Sequence, residues 1–270
     1  MRLLRAELTK LVFQKRTYIG LGGLLVVPIL LTVALSLSHR PGRNPSGFLT
    51  LATHNGMYVP LAAFAVLSTF LLPLLASMSG SHQLAGEAEQ GTIKTWLTHP
   101  LNRGSVLMSK WGAAVIYIAV GLALVAAGGY VAGAIAFGLH DPLLISKTAI
   151  VGTSIAGGLW LTFLAYLYVL FFAMCVLALA MLISTFTDSS LTAAIGALVV
   201  VIVMTVLGSF SYFDFLKPYL FTNYGDGWQD LFTRPMVWTT IVKGIITFGA
   251  YTTVFTSAAW LRFRRKDILV

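Results

Sequence analysis

Long apolar stretches separated by short polar segments set the pattern of this chain. A helix needs about 20 apolar residues to cross the roughly 30 Å hydrocarbon layer. Six stretches meet that length: about Tyr18 to Leu37, Met57 to Ser79, Trp111 to Leu139, Gly158 to Ser184, Leu191 to Phe210 and Ile241 to Leu261. The alternating strand pattern of a transmembrane barrel is absent. Lipid offers the backbone no hydrogen-bonding partner, so the expected fold class is an all-α membrane protein with six transmembrane helices.

The segments around these spans carry their own patterns. In residues 1 to 16, Leu3, Leu4, Leu8, Leu11 and Val12 share one helical face, with Arg2, Arg5, Lys10 and Lys15 largely elsewhere. This predicts a helix lying in the membrane interface. A secretory signal is the rival reading, but the apolar run is longer than an h-region and its lead is a full amphipathic segment. The stretch Ala149 to Ser184 would make a helix of roughly 54 Å at 1.5 Å per residue, too long for one upright crossing. A break is expected at "GGLW", Gly157 to Trp160. Pro28 and Pro73 lie inside spans and predict kinks. Gly129 and Gly133 in "GGYVAG" make a small-xxx-small face, expected to serve packing within the chain. Residues 211 to 240 are dense in aromatic rings, including Tyr212, Phe215, Tyr219, Phe221, Trp228 and Trp238. Short helices dipping into the outer interface as anchors are expected there.

Composition agrees with the pattern. With 57% hydrophobic and 10% charged residues and a mean hydropathy of +0.85, the chain lacks the polar surface to cover a soluble globule. The net charge of +9 reads as orientation. With a cytoplasmic N-terminus, 12 of the 18 Lys and Arg residues fall on inner segments, which places both termini in the cytoplasm of a multi-pass inner or plasma membrane protein. The basic balance then means contact with anionic membrane lipids; aromatic-basic repeats and zinc spacings are missing, so no nucleic acid is expected. Cys175 is a single cysteine inside the fourth span and excludes an intrachain disulfide.

The chemistry that the sequence lacks narrows its work. All nine acidic residues fall at or beyond the ends of the spans, so no ion-coupling carboxylate stands at the membrane midplane. HExxH and paired membrane aspartates are absent, and the histidines are scattered over both sides, so neither a metal site nor a catalytic site is indicated. There is no GxxxxGK[ST] loop for nucleotide phosphates. A bundle of this kind that moves cargo must receive its energy from another polypeptide.

The polar insert "GEAEQGTIKTWLTHPLNRG", Gly86 to Gly104, is the remaining signal. Gly91 permits a tight turn, Thr92 is a competent N-cap for a short helix that Pro100 would end, and Glu87 and Glu89 are expected on show. Such a projection suits contact with a soluble partner. Together with "ELTKLVFQKRTY" (Glu7 to Tyr18), the ExxxGT of Glu87 to Thr92, "LTHPLNRGSVLMSK", six spans and the closing "FRRKD" (Phe263 to Asp267), it resembles the permease subunits of ABC-2 type exporters over nearly the whole length.

The resemblance implies a transmembrane permease subunit of an ATP-driven exporter that forms the translocation pathway. It implies a pair of permeases, homodimer or related paralogues, driven by separate nucleotide-binding ATPase subunits that hold ATP and Mg, with no cofactor and no ATPase site in this chain. Residues 1–17 become the connecting helix and 18–261 the transmembrane domain. Within that domain lie a coupling loop at 80–110 and the outer aromatic segment at 211–240; 262–270 form a basic tail. Glu87, Glu89, Gly91 and Thr92 become the ATPase-coupling residues, and "STFTDSS" (Ser184 to Ser190) a second cytoplasmic contact. The second and fifth spans are expected nearest the dimer axis, with Ala193, Gly196, Ala197, Val201 and Thr205 facing the pathway or the second copy. Uncharged spans point to a hydrophobic or amphipathic cargo. The alternative is a non-transporting membrane scaffold, or an immunity or assembly protein, that binds a soluble partner through the same loop.

Overall fold

The computed structural model describes residues 2–37, 48–89, 103–141, 143–146, 150–152 and 154–265. The chain enters through an amphipathic helix α1 (Arg2–Phe13), breaks at Gln14, and continues as α2 (Lys15–Leu37), the first long apolar helix. Pro28 sits inside α2 without ending it, and the Thr32 hydroxyl donates to the Pro28 carbonyl at 2.8 Å.

After α3 (Phe48–His54) and a 3₁₀ turn at Gly56–Tyr58, the second span forms in two parts, α4 (Val59–Thr69) and α5 (Leu71–His82). They meet at a 61° bend. Pro73 has no N–H for the Thr69 carbonyl and its ring crowds that carbonyl, so Phe70 leaves helical geometry at φ −141° and ψ −48°. The expected kink is therefore a sharp one. A short helix α6 (Ala85–Glu89) follows.

Helix α7 (Arg103–Phe137) runs for 35 residues, roughly 52 Å at 1.5 Å per residue, so several turns project beyond a hydrocarbon layer of about 30 Å. Gly129 and Gly133 on α7 meet the second span. A Cβ at Gly133 would fall 2.4 Å from the Gly56 carbonyl oxygen, and one at Gly129 would fall 2.8 Å from the Pro60 Cα. The small-residue face serves packing within the chain, as expected.

Helix α8 (Ile155–Ser184) is the axis of the bundle: α5, α7 and the later helices α9 (Ser190–Ser209) and α10 (Trp238–Arg265) all pack on it. The expected break at Gly157 to Trp160 is not there. Residues Ile150–Gly152 form a strand instead, Ser154 caps α8 by accepting from the Gly157 N–H at 3.2 Å, and "GGLW" lies inside the first turns. The N-cap serine starts the helix before the glycine pair, which is then accommodated within the first turn. Strands β1 (Leu143–Ser146), β2 (Ile150–Gly152) and β3 (Thr233–Arg234) make a small sheet in the order β2-β1-β3, with β1 antiparallel to β2 and parallel to β3. It ties the loop before α8 to the aromatic segment before α10.

That aromatic segment folds as four 3₁₀ turns between Ser211 and Phe232. Its rings divide into two sets. Tyr212, Phe215 and Tyr219 are exposed, as interface anchors should be, whereas Phe221 and Trp228 are fully buried in the protein core. Trp228 stacks edge-on against Phe64 of α4 with centroids 4.9 Å apart, and the Tyr168 hydroxyl of α8 donates to the Tyr224 carbonyl at 2.7 Å. The segment is part of the core and more than an anchor.

The protein is an all-α membrane protein apart from this small sheet. Among the described residues, α2, α7, α8 and α9 are each long and apolar enough to cross a membrane, and the bent α4–α5 pair reaches that length and apolarity when its two parts are taken together. The sixth expected crossing falls on α10, a helix of 28 residues whose apolar character is diluted by six threonines and Lys243.

Candidate functional site

The polar groups of α1, α6 and the start of α7 converge at one end of the bundle. Helix α1 turns Glu7 and Lys10 to one side, α6 supplies Glu87, and the projecting first turns of α7 supply Lys110. Lys110 Nζ lies 2.9 Å from Glu7 Oε1 and 2.6 Å from Glu87 Oε1, and Lys10 also pairs with Glu87. Glu7 and Glu87 are 5% exposed and Lys110 is 2% exposed. Glu7, Glu87 and Lys110 are thus nearly closed to water and depend on one another for solvation, while Lys10, with 38% of its side chain exposed, balances the charge from the water side. The leucines on the other positions of α1 give the helix its apolar face, and α1 packs along α7.

This arrangement corrects the expectation for Glu87, which is not on show. The insert begins as a helical turn close under α5, and the side chain at that position turns toward Lys10 and Lys110. Glu89, two residues on, is exposed. Its Oε2 accepts from the Ser190 hydroxyl at 2.8 Å and from the Ser190 N–H at 3.4 Å. Both donors favour the charged form, so the Glu89 carboxyl titrates below its ordinary range. Gly91 and Thr92, with the helix expected after them, lie outside the described residues.

Ser190 is the first residue of α9 and the last of "STFTDSS". The two contact segments read separately from the sequence are therefore one surface: α6 and the turn before α9 touch through Glu89 and Ser190. The Arg262 guanidinium of α10 lies over the Phe186 ring of the same turn at 5.0 Å, which adds a cation–π contact. Sequence reasoning placed Glu7, Lys10 and Lys110 only as end-of-span charges. Their spacing of 77 and 103 residues from their partners leaves no local signal. The one legible sign was an acidic residue on an otherwise basic amphipathic helix.

The residues assigned to the pathway or the second copy separate in the structure. Ala193, Ala197 and Val201 are buried against this chain's own helices, where α9 packs on α5 and α8. That corrects their assignment as outward-facing: small residues permit close helix approach, and here the approach is internal. Gly196 is half-buried beside Ile183, and Thr205 is exposed with its hydroxyl donated to the Val201 carbonyl at 2.9 Å. The outward ridge of α9 is Leu191, Ile195, Val199, Ile202 and Val206.

A family model described as "ABC-2 family transporter protein" matches residues 2–268. Over 51 residues the chain is 43% identical to the probable ABC transporter permease protein NosY of Stutzerimonas stutzeri, and 41% identical to its counterpart in Pseudomonas aeruginosa. Each of these matches covers 19% of this chain and 18% of the relative's length.

Proposed function

The chain belongs to the ABC-2 family of transporter proteins, and from that premise we propose that it is the permease subunit of an ATP-driven exporter, without an ATPase site of its own. Two copies, or this chain and a related one, form the translocation pathway. Separate nucleotide-binding subunits hold ATP and Mg and drive it. Helix α10 is the sixth crossing, both termini are cytoplasmic, and the membrane is the inner or plasma membrane.

The cluster of buried Glu7, Glu87 and Lys110 with half-buried Lys10 is the observation that carries the coupling part of this reading. A force delivered to a flexible loop dissipates in the loop. The insert here starts from a turn locked by charge to α1 and to the projecting end of α7, so displacement of the insert moves a membrane-spanning helix directly. Glu89, Gly91 and Thr92 then belong to the surface that meets the ATPase, and the Glu89–Ser190 contact extends that surface to α9. Glu87 acts from within as a positioning residue. A lever needs a rigid fulcrum, and mutually solvated buried charges supply one because they are costly to separate.

The second copy is assigned to the outward ridge of α9 from Leu191 to Val206, in place of the small residues expected there. Apolar span surfaces favour a hydrophobic or amphipathic cargo.

Purification of the chain with the ATPase from the same transport system tests the reading. Hydrolysis that depends on this chain is the expected result. A partner that binds without such dependence would instead favour a membrane scaffold.

A further inference from the structure

A cleft of about 310 Å³ opens beside the charge cluster, between α1–α2 and α5–α6. Its walls are of two kinds. Ile19, Gly20, Leu75 and Met78 make an apolar side on the membrane-spanning helices, and Lys10, Arg16 and His82 stand at the polar end. The cleft therefore straddles the level at which spanning helices leave the hydrocarbon.

The charge balance at the polar end is uneven. Glu7 and Glu87 are matched by Lys10 and Lys110. Arg16 has no such match: its guanidinium donates to Gln14 Oε1 at 2.9 Å and to His82 Nδ1 at 3.0 Å, and a ring nitrogen that accepts carries no proton and no charge. Among the described residues no carboxylate pairs with Arg16. Gly20 shapes the wall below it, since a Cβ there would fall 2.1 Å from the Tyr117 hydroxyl oxygen. With no side chain at 20, that hydroxyl lies against α2 close under the Arg16 turn.

We propose that this cleft is a phospholipid site, with Arg16 holding the phosphate of the headgroup and the acyl chains running down the Ile19, Gly20, Leu75 and Met78 wall into the bilayer. A planar guanidinium with spare donors matches a phosphate. An apolar wall continuous with the membrane selects a phosphate that carries chains over a free anion. Glu7 and Glu87 also line the cleft beside Lys10, so the bound lipid presses on the charge cluster that fixes α6 to α1. The inference stands independently of the transport reading, because the isolated chain suffices to test it.

The test is native mass spectrometry of the full chain in mild detergent, titrated with phosphatidylglycerol. Wild type should retain one tightly held lipid per chain. Arg16→Gln should weaken retention about tenfold, the order expected for one charge-assisted phosphate contact. Met78→Trp, which fills the apolar wall, should weaken it with Arg16 intact, and Arg262→Gln, a cation elsewhere on the same membrane face, should leave it unchanged. Millimolar inorganic phosphate should not displace the lipid. Equal retention by wild type and Arg16→Gln would overturn the site. Displacement by inorganic phosphate together with an unaffected Met78→Trp would also overturn the proposal, reducing the cleft to a free-anion site.

Discussion

Lys110 Nζ sits 2.6 Å from Glu87 Oε1 at a point where both side chains are nearly sealed from water. The contact joins the first turns of α7 to the short helix that begins the polar insert, and Glu7 and Lys10 extend it to α1. Removing Glu87 leaves Lys110 with Glu7 alone and the cluster with an excess of positive charge. Glu87→Gln is therefore expected to cost about 3–5 kcal/mol, the usual effect of breaking a buried ion pair from one side. Thermal unfolding of the purified chain measures it. Lys110→Met combined with Glu87→Gln should cost less than the sum of the two single changes, and strict additivity would show that the pair does not interact.

The close crossing of α7 over the second span makes a sharper steric prediction. Gly133→Ala places a Cβ 2.4 Å from the Gly56 carbonyl oxygen, a backbone atom that cannot move without its helix, whereas a Cβ at Gly249 meets nothing within 4 Å. Gly133→Ala should lower the unfolding temperature by several degrees, and Gly249→Ala should leave it unchanged or slightly raised through helix propensity. Similar midpoints for the two variants would place the crossing elsewhere.

Much of this was legible beforehand, and the rest was hidden for identifiable reasons. The spans showed because apolar length is a direct consequence of lipid thickness. The bend showed because Pro73 removes a helical donor wherever it stands, and Gly129 and Gly133 announced a close approach. Burial of Glu87 did not show, because its partners Lys10 and Lys110 belong to other elements and nothing in the local pattern distinguishes an inward carboxylate from an outward one. The aromatic segment revealed its composition but not that Trp228 enters the core while Tyr212 stays out. Likewise, the small residues of α9 signalled close packing without saying which neighbour they pack on. The strand at Ile150–Gly152 was masked because three residues at the head of the long apolar stretch to Ser184 are too few to separate strand from helix by periodicity.

The two sets of rings in the aromatic segment should respond differently. Trp228 is 0% exposed and Tyr212 is 85% exposed. Trp228→Ala should destabilise by about 3–5 kcal/mol through the cavity left beside Phe64, while Tyr212→Ala should change unfolding little. Denaturation of the two variants in the same detergent checks this, and an unaffected Trp228→Ala would mean that the segment does not plug the bundle.

The Glu89–Ser190 contact predicts a pH response. Donation by Ser190 lowers the Glu89 pKa, so the contact is intact above the ordinary carboxylate range and is lost as pH falls through the depressed folded-state value. In infrared titration of the isotope-labelled carboxylate, Ser190→Ala should move the Glu89 midpoint upward. An unmoved midpoint would detach α6 from α9.

Outward and inward faces of α9 can be told apart by cross-linking. Cysteines at Ile195 or Val199 should join two copies in membranes, and one at the buried Ala197 should not. The reverse outcome would restore the small-residue face as the contact between copies.

ATP hydrolysis by the purified assembly, above the rate of the ATPase subunits alone, tests the coupling claim most directly. Glu89 is exposed and Gly91 belongs to the polar insert of the sequence, so Glu89→Lys and Gly91→Val should both reach the membrane at wild-type levels. The account predicts that each loses assembly or permease-dependent hydrolysis, Glu89→Lys by reversing a charge at the docking surface and Gly91→Val by resisting the turn that the sequence predicts before Thr92. Wild-type stimulation in both variants would contradict it and leave the insert a polar linker.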